Sequence, residues 1–540
     1  MHNHAGADQC VCPDQKENTQ NRANTQVRPY RKNKSMKYKA NRMNESATTV
    51  SYVGAGLKPA PTTKRADLPD GWRWKTIGEI CNTTSGGTPS RATKEYFKGN
   101  IPWVKSGELP DGLIIETEEY ITEEAVKNSS AKIFPSGTLL IAMYGATVGK
   151  LGIINREAAT NQAVCAIFPH KELDTKYLFW YLKSLRADLI SKSLGGAQPN
   201  ISQGILRNIP FPLAPLDQQK LIVAEIEKQF SRLDEAVAAL KRIQANLKRY
   251  KASVLKAAVE GKLTEEWRSR RRVLQYAPTK DETGADLLKR ILTERRKKWE
   301  EDYVNKYVGA HGHAPKDDSW KKKYKEPAAP DTSKLPDLPM GWVWSTTDQL
   351  SWYITSGSRD WKKYYSNKGV LFIRTQDINK NKLELANVAY VDLPDTAEGK
   401  RSLVECEDML VIITGANVGK VALVDKDLPE AYVSQSVGLM KLSYKNIAKY
   451  LHFAMIAEGA GKTQLEKMVY GMGRPVLNLE NLHELQIPLP PHNEQLQIVA
   501  EVEQHLSIVN EIEYSLGDNL SRAERLRQSI LKKAFSGKLV

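Results

Sequence analysis

Along residues 216–264, apolar side chains return at near-heptad spacing: Ile226, Phe230, Leu233, Val237, Leu240, Leu247, Val254 and Ala258. Residues 492–540 repeat the pattern through Val502, Leu506, Val509, Leu516, Leu520, Ala523, Ile530 and Ala534. Charged and polar residues fill much of the remainder, so each stretch predicts a long helix with one apolar stripe. A stripe at 3.5-residue spacing calls for a partner helix. Two packings are open: each stripe covers its own domain, or the two helices pair with each other, antiparallel. Pairing would place Phe230, Leu233, Leu240, Leu247 and Val254 at a seam with Leu506, Val509, Leu516, Leu520 and Ile530.

Ahead of each helix lies a segment of about 150 residues with short apolar runs, glycines and turns. "TLLIAMY" at Thr138 and "LGIIN" at Leu151 predict strands on either side of "GATVGK", and "MLVIIT" at Met409 and "VALVD" at Val421 do the same around "GANVGK". "YLFWYLKSLRADLISKSL" from Tyr177 predicts one helix. Pro-rich hinges, "IPFPLAPLDQQ" and "IPLPPHNEQ", hold off helix entry. The halves are copies. "LPDGWRWKTIGEI" at Leu68 matches "LPMGWVWSTTDQL" at Leu338, and Gly145 matches Gly415, each 270 positions apart. "IVAEIE" at Ile222 matches "IVAEVE" at Ile498, and Gly261 matches Gly537, each 276 apart. Four ordered matches with so little drift establish a duplication. The duplication favours mutual pairing of the two helices.

The expected organisation follows: a basic disordered extension (1–67), a first domain (68–215), a central helix (216–264), a charged insert and linker (265–337), a second domain (338–491) and a C-terminal helix (492–540). The fold class is α/β in the α+β sense, with two globular domains alternating with two long helices and a pseudo-two-fold internal repeat. The insert holds "ERRKKWEED" and "WKKKYKEPAAPD", which read as a polar helix and a Pro-rich linker. Residues 1–65 are expected to be dispensable, with Met36 or Met43 as an alternative start.

Charge narrows the partners. The net charge of +16 and pI near 9.3 favour a polyanion, nucleic acid first and an anionic membrane surface second. No apolar run approaches the eighteen or so residues of a membrane span, and the N-terminus lacks a signal-peptide core. Five scattered cysteines, with only Cys10 and Cys12 close together, suit a reduced cytoplasmic protein without a zinc site.

Enzyme readings fail on chemistry. A phosphate-binding P-loop needs four residues between its glycines, a Ser or Thr after the lysine, and a following helix. "GATVGK" and "GANVGK" have three, are followed by Leu151 and Val421, and run into strands. A tight turn with glycines at positive φ is the better reading. "NIPF" at Asn208 resembles an adenine-methyltransferase loop, but the matched hinge reads "QIPL". "PDQK" at Pro13 lacks a nuclease context, and "HGH" at His311 lies in a linker. No catalytic residue and no metal ligand is assigned.

The ordered blocks "SGGTPSR", "IPWVKSGEL", "LLIAMYGATVGK", "TNQAV", "NIPFPLAPLDQQKLIVAEIE" and "GKLTEEWR", with "FIRTQDI", "VIITGANVGK", "VSQSV" and "AFSGKLV" in the second copy, resemble the specificity subunit of type I restriction-modification systems over about residues 68–540. The resemblance implies two target-recognition domains, each reading one half of a split DNA sequence, with antiparallel helices as a ruler. A helix of some 45 residues spans roughly 65 Å, ample for half-sites about 34 Å apart. It also implies double-stranded DNA, two methyltransferase subunits and ATP-driven restriction subunits as partners. S-adenosylmethionine, ATP and Mg would serve the complex, with no cofactor in this subunit. A coiled-coil adaptor without sequence readout is the alternative.

Donor-rich loops nominate DNA contacts: Arg91 in residues 84–91 and Lys105 in 103–109; Gln198 in 195–200; Arg359 in 355–361; Arg374 and Gln376 in 372–378; Arg474 in 471–476. Lys150 and Lys420 are candidates for DNA phosphate. Lys105 and Arg374 occupy matched positions, which suits phosphate contact, since phosphate carries no sequence information; matched residues can equally hold the fold.

Overall fold

The structure, a computed structural model, describes residues 67–193, 200–273, 282–394, 400–471 and 473–540. Nearly all of the N-terminal extension and Gln198 lie outside the described residues. The chain divides into two compact units. One gathers the described residues up to Arg242 with Leu516–Val540; the other is Ile243–Ser515. The long helices α1 (Leu216–Val259) and α3 (His492–Ala534) each give one half to each unit, and between them lies α2 (Gly284–His311).

In the first unit a five-stranded sheet runs in the order Cys81–Ser85, Val164–Pro169, Leu139–Ala142, Leu151–Ile154, Gly112–Ile114. Leu139 to Ala142 are all buried because the sheet is covered on both faces, which is why this strand reads as an unbroken apolar run. Leu139, Ile141, Cys165 and Ile167 meet the helix Thr175–Ser184 and the start of α1. Leu140, Ala142, Val164 and Ala166 face a second layer with Val104 and Phe134. That layer is a four-stranded sheet in which Ile101–Val104 runs parallel to Ala158–Thr160. The second unit repeats the plan: Ser351–Ser356, Val437–Leu442, Met409–Ile412 and Val421–Leu423 form one sheet, and Val370–Ile373 runs parallel to Ala431–Val433 in the other.

Three expectations change. The helix from Tyr177 is two helices, Thr175–Ser184 and Arg186–Ser193. The break has a tertiary cause: Arg186 turns to ion-pair Asp111 and to donate to the Gly149 carbonyl (3.0 Å). The proline hinges are strands. Pro210–Leu213 pairs with Arg73–Thr76, and Gln486–Leu489 with Val343–Thr346. Proline is tolerated in such edge pairings, and Tyr177 and Tyr450 donate to the Pro212 and Pro488 carbonyls (3.1 and 2.6 Å). The helix expected in the insert is present as α2, but it is not polar throughout. Leu287 and Ile291 of α2 are fully buried in the second unit's core. Arg295 donates to the Asp348 and Ser351 carbonyls (both 3.0 Å), and Lys298 to Leu442 (3.1 Å). Trp299, Tyr303 and Trp320 stack, the last two 4.9 Å apart and 3° from parallel.

Each unit takes its helix pair antiparallel. In the second, Tyr250 and Lys251 of α1 meet His505 (2.9 Å) and Glu513 (2.8 Å) of α3, and further along Thr264 meets Glu494 (2.7 Å). In the first, Arg527 of α3 ion-pairs Asp234 of α1 and lies over the Phe230 ring. All ten residues nominated for the seam are buried or half-buried. Those toward the helix ends also join the domain cores: Phe230 and Ile530 in one unit, Val254 and Leu506 in the other. Gly261 and Gly537, both at positive φ, pack where a side chain would strike Pro339 and Pro69, at 2.5 and 2.0 Å. The turn ending α1 therefore docks on the second domain, and the turn ending α3 on the first.

A candidate nucleic-acid interface

The described parts of the loops nominated from sequence meet around one tight turn in each unit. In the first unit the turn is 161–163. Asn161 N–H donates to Val104 (3.1 Å), Met143 N–H to Ala163 (2.8 Å), Ile201 N–H to Met143 (2.9 Å) and Gly87 N–H to Thr160 (2.9 Å). These bonds draw together residues 84–91, the end of the strand before Lys105, the "GATVGK" tip and Asn200. In the second unit the turn is 434–436. Ser434 N–H donates to Ile373 (2.8 Å), Ile413 N–H to Ser436 (2.9 Å), Leu477 N–H to Ile413 (2.8 Å) and Gly415 N–H to Pro475 (3.0 Å). Gly86 and Gly357 press on the matched carbonyls of Thr160 and Val433, where a Cβ would lie 2.2 and 1.8 Å away. Only glycine lets backbone approach so closely.

The "GATVGK" and "GANVGK" tips close antiparallel hairpins. Gly145, Gly149, Gly415 and Gly419 all have positive φ, from 72° to 111°. The hairpins are clamped alike. Asp111 and Asn381, 270 positions apart and both at positive φ, accept from the N–H of Leu151 (3.0 Å) and Val421 (3.2 Å).

The cations around these turns divide into two kinds. Lys105 is held by Glu118 (2.9 Å) and Glu119 (3.0 Å), which raise its pKa, and Arg91 bonds Glu119 (2.6 Å), lowering that carboxyl's pKa. Arg91 also covers the Phe97 and Trp103 rings. Arg374 bonds Asp377 (3.2 Å) and the Asn387 carbonyl (2.7 Å). The backbone N–H groups of Lys105 and Arg374 bond Glu108 (2.7 Å) and Asp377 (2.8 Å), so both positions shape the same short turn. By contrast, Lys150, Lys420, Arg359 and Arg474 have no side-chain hydrogen bond or ion pair among the described residues, and Arg359, Arg474 and Gln376 are exposed. Replacing Lys105 or Arg374 by glutamine is therefore expected to lower thermal stability while leaving the salt dependence of DNA binding unchanged, as a melting curve beside a salt titration would show. An altered salt slope would return them to the phosphate contacts.

Bulk charge does not mark the site. Residues 68–215 hold 16 Lys and Arg against 14 Asp and Glu, and residues 338–491 hold 17 against 17. The basic excess lies in the extension, the central helix and the insert, and the cations left unpaired at the loops among the described residues are few. Gln162 and Gln435, exposed on the two turns, are not among the residues nominated from sequence. Their signal was present in the matched strings "TNQAV" and "VSQSV", but only the fold shows that these strings gather the other loops. Among the described residues no His, Cys, Asp and Glu group is arranged to hold a metal, and no helix is long and apolar enough to cross a membrane.

Comparison with known proteins agrees with this architecture. The profile of the type I restriction modification DNA specificity domain matches residues 69–249 and 352–520, one copy per half. The chain is 25% identical to the type I restriction enzyme EcoBI specificity subunit of Escherichia coli over 493 residues, 87% of each chain. It is 32% identical to the EcoR124I/EcoR124II specificity subunit of Escherichia coli over 170 residues, 30% of this chain and 42% of that one. A structure solved in work on complex assembly and conformational transition of the type I R-M system shares the fold, with TM-score 0.60 and 18% identity over 88% of this chain and all of the other. The chain belongs to the type I restriction-modification specificity subunit family.

Proposed function

We propose that this chain reads a bipartite, asymmetric sequence in double-stranded DNA, one half-site per domain, and directs methyltransferase and restriction subunits to it. The observation that carries the reading is the turn built twice, at 161–163 and 434–436, on three corresponding backbone bonds (those of Asn161, Met143 and Ile201, and of Ser434, Ile413 and Leu477) but with different side chains at its rim. A shared scaffold with divergent donors is what two half-sites of different sequence require. The 44 residues of α1 span roughly 66 Å at 1.5 Å per residue, enough to set a spacer. In this reading Lys150, Lys420 and Arg474 contact phosphate, while Arg359 and Gln376 reach base edges. The subunit is non-catalytic and cytoplasmic. Two methyltransferase subunits supply S-adenosylmethionine chemistry, and the restriction subunits use ATP and Mg.

Exchanging residues 68–215 for the first domain of a relative with a different target tests the reading. Methylome sequencing of cells carrying the reconstituted complex should show one half-site replaced and the other retained. An unchanged methylated sequence would support the adaptor alternative instead.

A further inference from the structure

The two turns carry the same glutamine, Gln162 and Gln435, each two residues past the carbonyl on which Gly86 or Gly357 rests. Two residues past those glycines stand different side chains, Thr88 in the first domain and Arg359 in the second. The Thr88 hydroxyl donates to the Gln162 amide oxygen. Arg359 and Gln435 are both exposed, and neither has a side-chain partner among the described residues. The presenting loops are fixed on both sides. In the first domain Gly87 leaves no room for a side chain against the Ser130 backbone (2.2 Å), and its carbonyl accepts from Trp103 Nε1 (3.0 Å). In the second, Gly357 is wedged on Val433, and Trp361 is 3% exposed with its ring 5.3 Å from Tyr432. Loops fixed in this way lose little backbone freedom on binding, which favours specific contact.

Resting on the DNA-reading function proposed above, we infer that the position shared by Thr88 and Arg359 selects the base read beside the matched glutamines: guanine by Arg359 in the second half-site, adenine by the threonine-held Gln162 in the first. A guanidinium fork fits the O6 and N7 acceptors of guanine, and a carboxamide fits the N7 acceptor and N6 donor of adenine. A Thr88 hydroxyl on one lone pair of the Gln162 oxygen leaves the other for N6–H, and frees Nε2 to donate to N7. The amide is thereby oriented for adenine before DNA arrives.

The test is selection from a randomised DNA library by the complete methyltransferase complex carrying the full chain. Arg359→Thr is expected to lose guanine preference at one position of the second half-site, by about ten- to a hundredfold, with the first half-site unchanged. Arg359→Gln should exchange that guanine for adenine, and Thr88→Arg should bring guanine to one position of the first half-site. The untouched half-site reports that each variant is folded. Selection of the original sequence by both Arg359 variants, or changes spread over both half-sites, overturns the inference and leaves the function standing. A wild-type complex that selects no sequence overturns the function itself.

Discussion

Glu494→Ala is expected to destabilise the second unit by about 3–5 kcal/mol, the usual cost of removing one partner from a buried ion pair. Glu494 is 1% exposed. It accepts from Trp342 Nε1 (2.9 Å) and the Thr264 hydroxyl (2.7 Å), and pairs with Arg268, which also donates to the Gly261 carbonyl (2.6 Å). One carboxylate thus ties the end of α1, the start of the second domain and the first turn of α3. Without it, a largely buried guanidinium loses its counter-charge and an indole N–H loses its acceptor. In the first domain the matched pair is Trp72 with neutral Gln218 (2.7 Å). Glu494→Gln should therefore keep the indole bond while losing the charge pairing, and fall between alanine and wild type. Urea denaturation followed by tryptophan fluorescence measures both; a loss below about 1 kcal/mol for alanine would show that water or another group replaces the carboxylate.

The second large effect concerns affinity. Each phosphate contact contributes about 0.9 to the slope of log K against log salt. The combined variant Lys150→Gln, Lys420→Gln, Arg474→Gln is expected to lower that slope by roughly 2.7 and to weaken binding on the order of a hundredfold near physiological salt. The preferred sequence should not change, because phosphate contacts position without specifying. The reason for choosing these three is geometric. All lie on loops gathered at the two turns, and none is neutralised by a carboxylate among the described residues. A slope equal to wild type, measured by fluorescence anisotropy across a salt series, would remove them from the interface.

Much of the architecture was legible because it is written in local periodicity and repetition. The heptad stripes, the hairpin glycines and the 270- and 276-residue offsets need no tertiary knowledge. The turn reading of "GATVGK" rested on spacing and on the apolar strand after Lys150, and the positive φ of all four glycines is what such a turn requires. Other features were illegible for equally physical reasons. The helix from Tyr177 carries a continuous helical pattern, yet it breaks at Leu185 because the next residue, Arg186, is claimed by Asp111, 75 positions earlier. The insert looks polar because only a narrow stripe of α2 enters the core, Leu287 and Ile291 with Leu288 beside them.

The sequence by itself determined the duplication, the fold class and the two long helices with their apolar stripes, because these follow from spacings of a few residues and from blocks that recur intact. Tertiary structure alone decided which cations are available. Lys105 and Lys150 are the same residue type on neighbouring loops, but Glu118 and Glu119 neutralise the first, while no carboxylate among the described residues pairs with the second. Electrostatic pairing acts across space between residues whose separation along the chain is arbitrary, so composition and pattern cannot foretell it.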